Sequence, residues 1–209
     1  MPDGQVTKDN QKKEKYRRRQ SEVFDAAAAV FAEKGYHGAS TGDIAAKLGI
    51  AQSSLYYYFK SKDEALEQVC LQSIKGYVER LTLIAESDVT PAQKIRDAVY
   101  NHIEPINTIR DYFRTFTGEL RYLPKSKRSA LNRMISNYNA LLEKILTLGV
   151  AEGAFNGSLD CHLAMVQLIS QCNYAPLWIN TKTDYDLDKI ASSIADNFLL
   201  GASQRKIST

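Results

Sequence analysis

The sequence predicts an all-α chain, and three observations carry that prediction. Apolar residues recur at helical spacing throughout. No segment alternates apolar and polar residues over the length of a strand. Gly and Pro punctuate the pattern beside Ser, Thr and Asp residues of the kind that cap helices. The 209 residues suffice for one large domain or two modest ones. Apolar and charged fractions are ordinary for a soluble globular protein.

Taken in order, Phe24, Ala27, Ala28 and Phe31 form one face of a helix that Gly35 stops after Lys34. Ser40 starts the next, with Asp43 three residues on as its capping-box partner, and Gly49 ends it. Ile44, Ala45 and Leu48 are its buried face. A helix of about two turns follows over Gln52–Phe59. Ser61, with Glu64 three residues later, caps a helix running from about Lys62 to Ala85. Thr90-Pro91 is an N-cap followed by Pro in the first turn, opening a helix through Ile103 that Pro105 breaks. An aromatic-rich helix over Thr108–Tyr122 comes next, then one from Pro124 to about Glu152, closed by Gly153. Asp160 caps a helix to about Ile179, and the last spans about Tyr185 to Gly201.

The net charge of +3 says little, but its distribution says more. "QKKEKYRRRQ" (Gln11–Gln20) holds six Lys/Arg against one Glu. Such an arm is either a solvated tail or a nucleic-acid contact, and composition alone leaves both open. No stretch reaches the roughly 18 apolar residues of a membrane span. No apolar signal-peptide core follows the N-terminus, so a cytoplasmic location with no membrane partner is expected. Cys70, Cys161 and Cys172 fit a reduced compartment. Asn156-Gly157-Ser158 matches a glycosylation sequon and reads as a turn.

The stretch "LGIAQSSLYYYFKSKDEAL" (Leu48–Leu66) concentrates hydroxyl and aromatic groups on one short helix. At about 100° per residue, Leu55 and Phe59 point toward the preceding helices. Gln52, Ser53, Tyr56 and Tyr57 point away, and Tyr58 points sideways, into packing. A short helix anchored by two apolar residues and showing Gln, Ser and Tyr outward fits a helix-turn-helix reader of double-stranded DNA. Gln52 suits the N6 and N7 edge of adenine. Ser53 and Ser54 suit bases or phosphates. Tyr56 and Tyr57 offer hydroxyls to phosphate and rings to thymine methyls. Lys60 and Lys62 add charge, and Arg17, Arg18 and Arg19 reach phosphates or a minor groove. Ser40 and Thr41 open a helix whose free amides suit a phosphate.

Other signals carry less. "GASTG" (Gly38–Gly42) fits a nucleophile-elbow pattern, but that chemistry needs a strand before the serine and a triad. No enzyme activity is expected. His37, His102 and His162 are scattered, and Cys161-His162 lacks metal-ligand spacing, so no cofactor or metal is expected.

"VFAEKGYHGAS" (Val30–Ser40), "DIAAKLGI" (Asp43–Ile50) and "SSLYYYFKSKDEAL" (Ser53–Leu66) resemble the TetR family of bacterial transcriptional repressors, in order and at the family's spacing. The resemblance implies a basic arm over 1–19, a three-helix DNA-binding head over 20–66 and an all-α ligand-binding and dimerisation body over 67–209. It also implies a homodimer formed by the last two long helices, and a ligand that releases DNA. Two positions depart from the pattern. Ala51 stands where Ser or Thr often opens the reading helix, weakening the cap by about 1 kcal/mol. Gly42 replaces a bulkier residue. "ELRYL" (Glu119–Leu123), "EGAF" (Glu152–Phe155) and "NYAPLW" (Asn173–Trp178) resemble the branch that senses acyl-CoA thioesters.

Candidate ligand contacts are His102, Phe113, Phe116, Tyr138, Tyr174 and Trp178, which together can line an apolar cavity. Arg121 either pairs with acids near Glu119 or meets an anionic ligand group. Leu163, Val166, Ile190, Ile194 and Phe198 form apolar stripes suited to a two-fold four-helix interface.

Overall fold

Side-chain caps and glycines set several of the helix boundaries. The computed structural model describes residues 3–107, 109–179 and 186–203, and all regular structure among them is helical. Helix α1 (Asp3–Gly38) is interrupted at Gly35, whose φ of 69° leaves helical geometry. Helix α2 (Thr41–Leu48) carries the expected capping box at Ser40 and Asp43 and ends at Gly49. Helix α3 (Gln52–Leu55) is shorter than the sequence suggests, and Tyr56–Tyr58 form a tight turn after it. Ala51 gives it no side-chain cap. The amides of Tyr58 and Phe59 both return to the Leu55 carbonyl, which closes the turn.

The expected helix from Lys62 to Ala85 is two helices, α4 (Lys62–Ile74) and α5 (Tyr77–Glu86). Gly76 separates them with φ 85°, a conformation costly for any residue with a Cβ, and a Cβ there would sit 2.8 Å from the Arg80 guanidinium. Helix α6 (Pro91–Ile103) has Thr90 accepting from the Gln93 amide. Pro105 lies in the 3-10 turn Glu104–Asn107 that follows. Helix α7 (Arg110–Glu119) continues into a 3-10 turn over Leu120–Tyr122. A further 3-10 turn, Lys125–Lys127, precedes α8 (Ser129–Ala151). Helix α9 (Cys161–Ile179) is capped by Asp160, which accepts from the Leu163 amide, and α10 (Leu187–Ala202) by Asp186. The sequon is a turn, with the Ser158 amide donating to the Asn156 side chain.

The chain packs as two units: Met1–Ser73 with Ile109–Ala130, and Ile74–Thr108 with Leu131–Thr209. In the first, Phe24, Ala27, Ala28, Phe31, Ile44, Leu55, Phe59, Leu66 and Val69 are buried. Helix α7 joins this unit by packing on α1. In the second, α6 packs against α5, α9 and α10. Gly149 of α8 lets the Phe155 ring close on the backbone, since a Cβ there would come within 2.3 Å of it. No described helix is long and apolar enough to cross a membrane.

Candidate nucleic-acid interface and buried polar cluster

The short reading segment separates cleanly into anchors and display. Leu55 and Phe59 are buried, while Gln52, Ser53, Ser54, Tyr56 and Tyr57 are exposed, Tyr57 at 71%. Tyr58 is half-buried and stacks on Tyr16, as its sideways direction requires. Gln52 donates through Nε2 to Thr41 Oγ1 at 2.7 Å, bracing α3 against the start of α2. That bond leaves the Gln52 amide oxygen and the Thr41 hydroxyl hydrogen available for other partners. Lys60 is exposed, its amide held by Glu64, while Glu64's own amide donates to Ser61 Oγ. The second capping box is therefore present, displaced by one residue at its carboxylate end.

Two expected DNA contacts have other partners. Ser40 Oγ donates to Asp43 at 2.6 Å and accepts from the Asp43 amide, so its hydroxyl belongs to the cap. Lys34 and this cap hold the Asp43 carboxyl down at about 2. The Ser40 amide also donates to Asp43, placing a carboxylate where a phosphate would compete. Lys62 donates to the carbonyls of Tyr36 at 2.8 Å and Ala39 at 2.9 Å, and lies 4.4 Å over the Tyr36 ring. Its charge therefore secures the α1–α2 turn. The same serine disposes of the nucleophile pattern: "GASTG" sits on a helix cap after a helix, with its hydroxyl engaged by a carboxylate.

The basic arm is helical. Asn10–Gln20 belong to α1, which continues from them without interruption into the head. Arg18 and Arg19 reach Glu22 at 3.6 and 2.6 Å, and Arg17 is exposed. Tyr16 contacts Tyr57 edge-on and Tyr58 face to face.

Helix α7 is stapled to α1 by three hydrogen bonds from one face. Tyr112 donates to Asp25 at 2.8 Å, Thr115 donates to the Ala28 carbonyl at 3.1 Å, and Glu119 accepts from the Tyr36 amide at 2.7 Å. Tyr36 also donates to Asp63 and stacks on Tyr122, and burial with the Asp63 bond pushes its hydroxyl up to about 12. Arg121 pairs with no acid among the described residues; its guanidinium lies 4.8 Å over the Tyr122 ring. Phe113 is buried and Phe116 half-buried in this same unit.

His102 and Tyr138 lie in the other unit, so the aromatics expected to line one cavity divide between the two. Tyr174 is 63% exposed, and Trp178 falls outside the residues whose side chains are described. Around His102 the body holds a polar knot. The ring meets the Tyr138 hydroxyl at 2.9 Å through Nδ1 and Asn173 Oδ1 at 3.1 Å through Nε2. Tyr77 donates to the His102 carbonyl, and Arg80 donates to Asn101 Oδ1 at 2.5 Å. Since Asn173 presents an oxygen, Nε2 carries the hydrogen and Nδ1 accepts from Tyr138. Burial drives His102 down to about 4, so the ring is neutral near pH 7. Asn101 Nδ2 is buried without a partner among the described residues. Beside the knot, Ala98, Val99, Leu142, Leu168, Ile169 and Cys172 line a small, partly open cavity of about 10 Å³.

Sequence reasoning singled out His102 and Tyr138 but missed Asn101, Asn173, Tyr77 and Arg80, whose meeting depends on how α5, α6 and α9 pack. It also missed Tyr16 beside the reading segment, though Tyr16, Gln20, Val23 and Ala27 fall at helical spacing and carry that signal.

Of the expected dimer residues, Ile190 and Ile194 are buried inside the protomer, where α10 packs on α6 and α9. Phe198 is half-buried. Leu163 and Val166 of α9 are exposed at 52% and 43%, and Leu200 of α10 is exposed as well.

A capped positioning helix, a turn and a short polar helix with its side chains outward make a helix-turn-helix reading head. The chain belongs to the TetR family of bacterial regulatory proteins. Its family model matches residues 23–69, and that of the tetracyclin repressor-like C-terminal domain matches residues 88–202. The protein is thus a DNA-binding transcription regulator, of a family whose members regulate transcription rather than catalyse reactions. The fatty acid metabolism regulator protein of Bacillus subtilis (strain 168) is 26% identical over 192 residues, 91% of this chain and 97% of that one. The solved structure of the TetR family regulator PfmR from Thermus thermophilus is 26% identical with a TM-score of 0.79, covering 88% of this chain and 99% of that one. FadR from Bacillus subtilis, solved in complex with stearoyl-CoA, is 25% identical with a TM-score of 0.73, covering 87% and 98%.

Proposed function

We propose that this protein is a homodimeric repressor that leaves its operator when a medium- or long-chain acyl-CoA enters the body. The observation that carries the ligand reading is the His102–Tyr138–Asn173 knot bordering an apolar space inside an otherwise apolar body. Similarity to a regulator solved with stearoyl-CoA supports the same class. The Asn101 amide hydrogens, without a partner among the described residues, suit an uncharged acceptor such as a thioester carbonyl, with the acyl chain among Val99, Leu142 and Leu168. That cavity of about 10 Å³ is far below the roughly 300–1,000 Å³ of a ligand pocket. Entry of an acyl chain must therefore spread α6, α8 and α9, and that spreading is the ligand's preference for one conformation over the other. Coupling of about 1–3 kcal/mol is enough to lower operator occupancy several-fold or more. Because α7 is stapled to α1, any displacement of α7 carries the reading head with it.

Exposure supports a dimer face on α9 and α10. Leu163, Val166 and Leu200 remain uncovered in the protomer, while Ile190 and Ile194 serve its core. Two copies joined through α9 and α10 would set two reading heads on successive major grooves of a near-palindromic site.

Calorimetry with a panel of acyl-CoA chain lengths, paired with operator binding, tests this reading. Medium or long chains should bind and weaken operator affinity, and free CoA should do neither. No heat and no loss of DNA binding with any thioester would overturn the ligand assignment and leave the regulator intact.

A further inference from the structure

Tyr16 lies in the basic half of α1, far in sequence from the reading segment, yet it is in contact with it. Its ring centroid is 5.5 Å from that of Tyr57, nearly perpendicular to it, and 5.8 Å from that of Tyr58, nearly parallel. Tyr57 and Tyr58 meet each other edge-on at 5.2 Å, so the three rings close a triangle. At about 100° per residue, Tyr16 shares a side of α1 with Gln20, Val23 and Ala27, and the last two are buried in the head. The apolar seam of the head thus runs on into the arm and ends at Tyr16. Two features of the reading face depend on this closure. Tyr57 is 71% exposed and follows a helix of a single turn with no side-chain cap, so nothing in α3 itself fixes its ring. Arg17 follows Tyr16 on the same helix, exposed and without an ion-pair partner among the described residues. Arg18 and Arg19 instead share Glu22.

We propose that Tyr16 is a specificity-setting residue: wedged against Tyr57 and Tyr58, it fixes the Tyr57 ring at the DNA and holds Arg17 in constant register with it. The arm is then a rigid helical part of the reading surface, and it supplies selectivity as well as charge. A charged tail alone raises affinity for every sequence alike. A positioned tail raises affinity only where its groups and those of α3 fit the DNA together. The inference rests on the reading that the Tyr57 face meets DNA.

The test compares Tyr16→Ala, Tyr16→Leu and Tyr16→Phe in the full chain. The probes are a duplex selected from random sequence by the wild-type protein and a scrambled duplex of equal length. Loss of two ring contacts should weaken Tyr16→Ala on the selected duplex by roughly tenfold. Affinity for the scrambled duplex and its salt dependence should not change. Tyr16→Leu keeps an apolar contact and a helix-favouring residue, so it should fold as wild type and show the same selective loss. Tyr16→Phe keeps the ring and should bind as wild type. The proposal is overturned if Tyr16→Leu binds the selected duplex as wild type does, if the loss is equal on both duplexes, or if Tyr16→Phe is as defective as Tyr16→Leu. Tyr57→Ala separates the two levels. If it too binds normally, the Tyr57 face is not the reading face. If it is defective while the Tyr16 variants are not, only the role of Tyr16 fails.

Discussion

The head and the body place their polar chemistry in opposite ways. The head buries Leu55 and Phe59 and shows Gln52, Ser53, Tyr56 and Tyr57 to solvent. The body hides its polar groups at the centre, where His102, Tyr138 and Asn101 are each 8% exposed. Groups that read DNA exchange water for phosphate and base edges, so they cost little while they wait. Groups that read a buried ligand must already be paired, because an unpaired polar group inside the protein costs about 1–3 kcal/mol. Tyr138 and Asn173 satisfy His102, and Asn101 Nδ2 is left as the exception. The difference teaches that the head's function depends on how its short elements are held. The body's function depends on what its long helices enclose. Accordingly the head is rich in side-chain bonds to backbone ends, from Ser40, Asp43, Lys62 and Glu119.

The largest effect that would break this contrast lies in the body. Ile194→Arg puts a charge where the protomer is packed and should cost at least about 4 kcal/mol, unfolding the second unit. Leu163→Arg, on the exposed face of α9, should leave the melting temperature unchanged and halve the mass in solution. A folded Ile194→Arg monomer, or a Leu163→Arg protein still dimeric by light scattering, would reverse the assignment of core and interface.

A smaller effect sharpens the body's side. His102 titrates near 4, below its ordinary value of 6.5, because burial disfavours the charged ring. Between those values the unfolded chain binds the extra proton. The stability due to neutral His102 is therefore fully present above pH 6.5 and lost as pH falls toward 4, amounting to about 3 kcal/mol at most. Denaturant unfolding between about pH 7 and 4.5 should show a steeper fall for the wild type than for His102→Gln. Equal acid sensitivity would mean that the ring is solvated.

How far the sequence alone reveals each region follows the same divide. The caps at Ser40 and Ser61 and the stop at Pro105 are legible because each is settled within a few residues. The opposed directions of Leu55 and Tyr57 are legible because helical periodicity persists through a single turn. The break at Gly76 is not, since one glycine inside a helical pattern leaves the apolar spacing intact. Charge conceals the helical arm, because a run of lysines and arginines reads alike as tail or helix. That Phe113 and Tyr138 belong to different packing units is hidden, because nothing local reveals that α7 packs on α1. The bonds that decide it, Tyr112 to Asp25 and Thr115 to Ala28, each span 87 residues. An apolar stripe such as Ile190 and Ile194 shows that a partner exists but not whether it comes from the same chain. Lys62 illustrates the limit for charge: its type suits phosphate, and the sequence does not show that two backbone carbonyls also hold it.

The most direct test of the central claim is operator affinity of Gln52→Ala and Tyr57→Ala, measured beside their melting temperatures. Both side chains are exposed, so neither variant should change stability appreciably. Gln52→Ala should lose about 1–3 kcal/mol of binding and relax selectivity at one base position. Tyr57→Ala should weaken operator binding without unfolding the head. Wild-type operator affinity in both variants would contradict the assignment of this face to DNA.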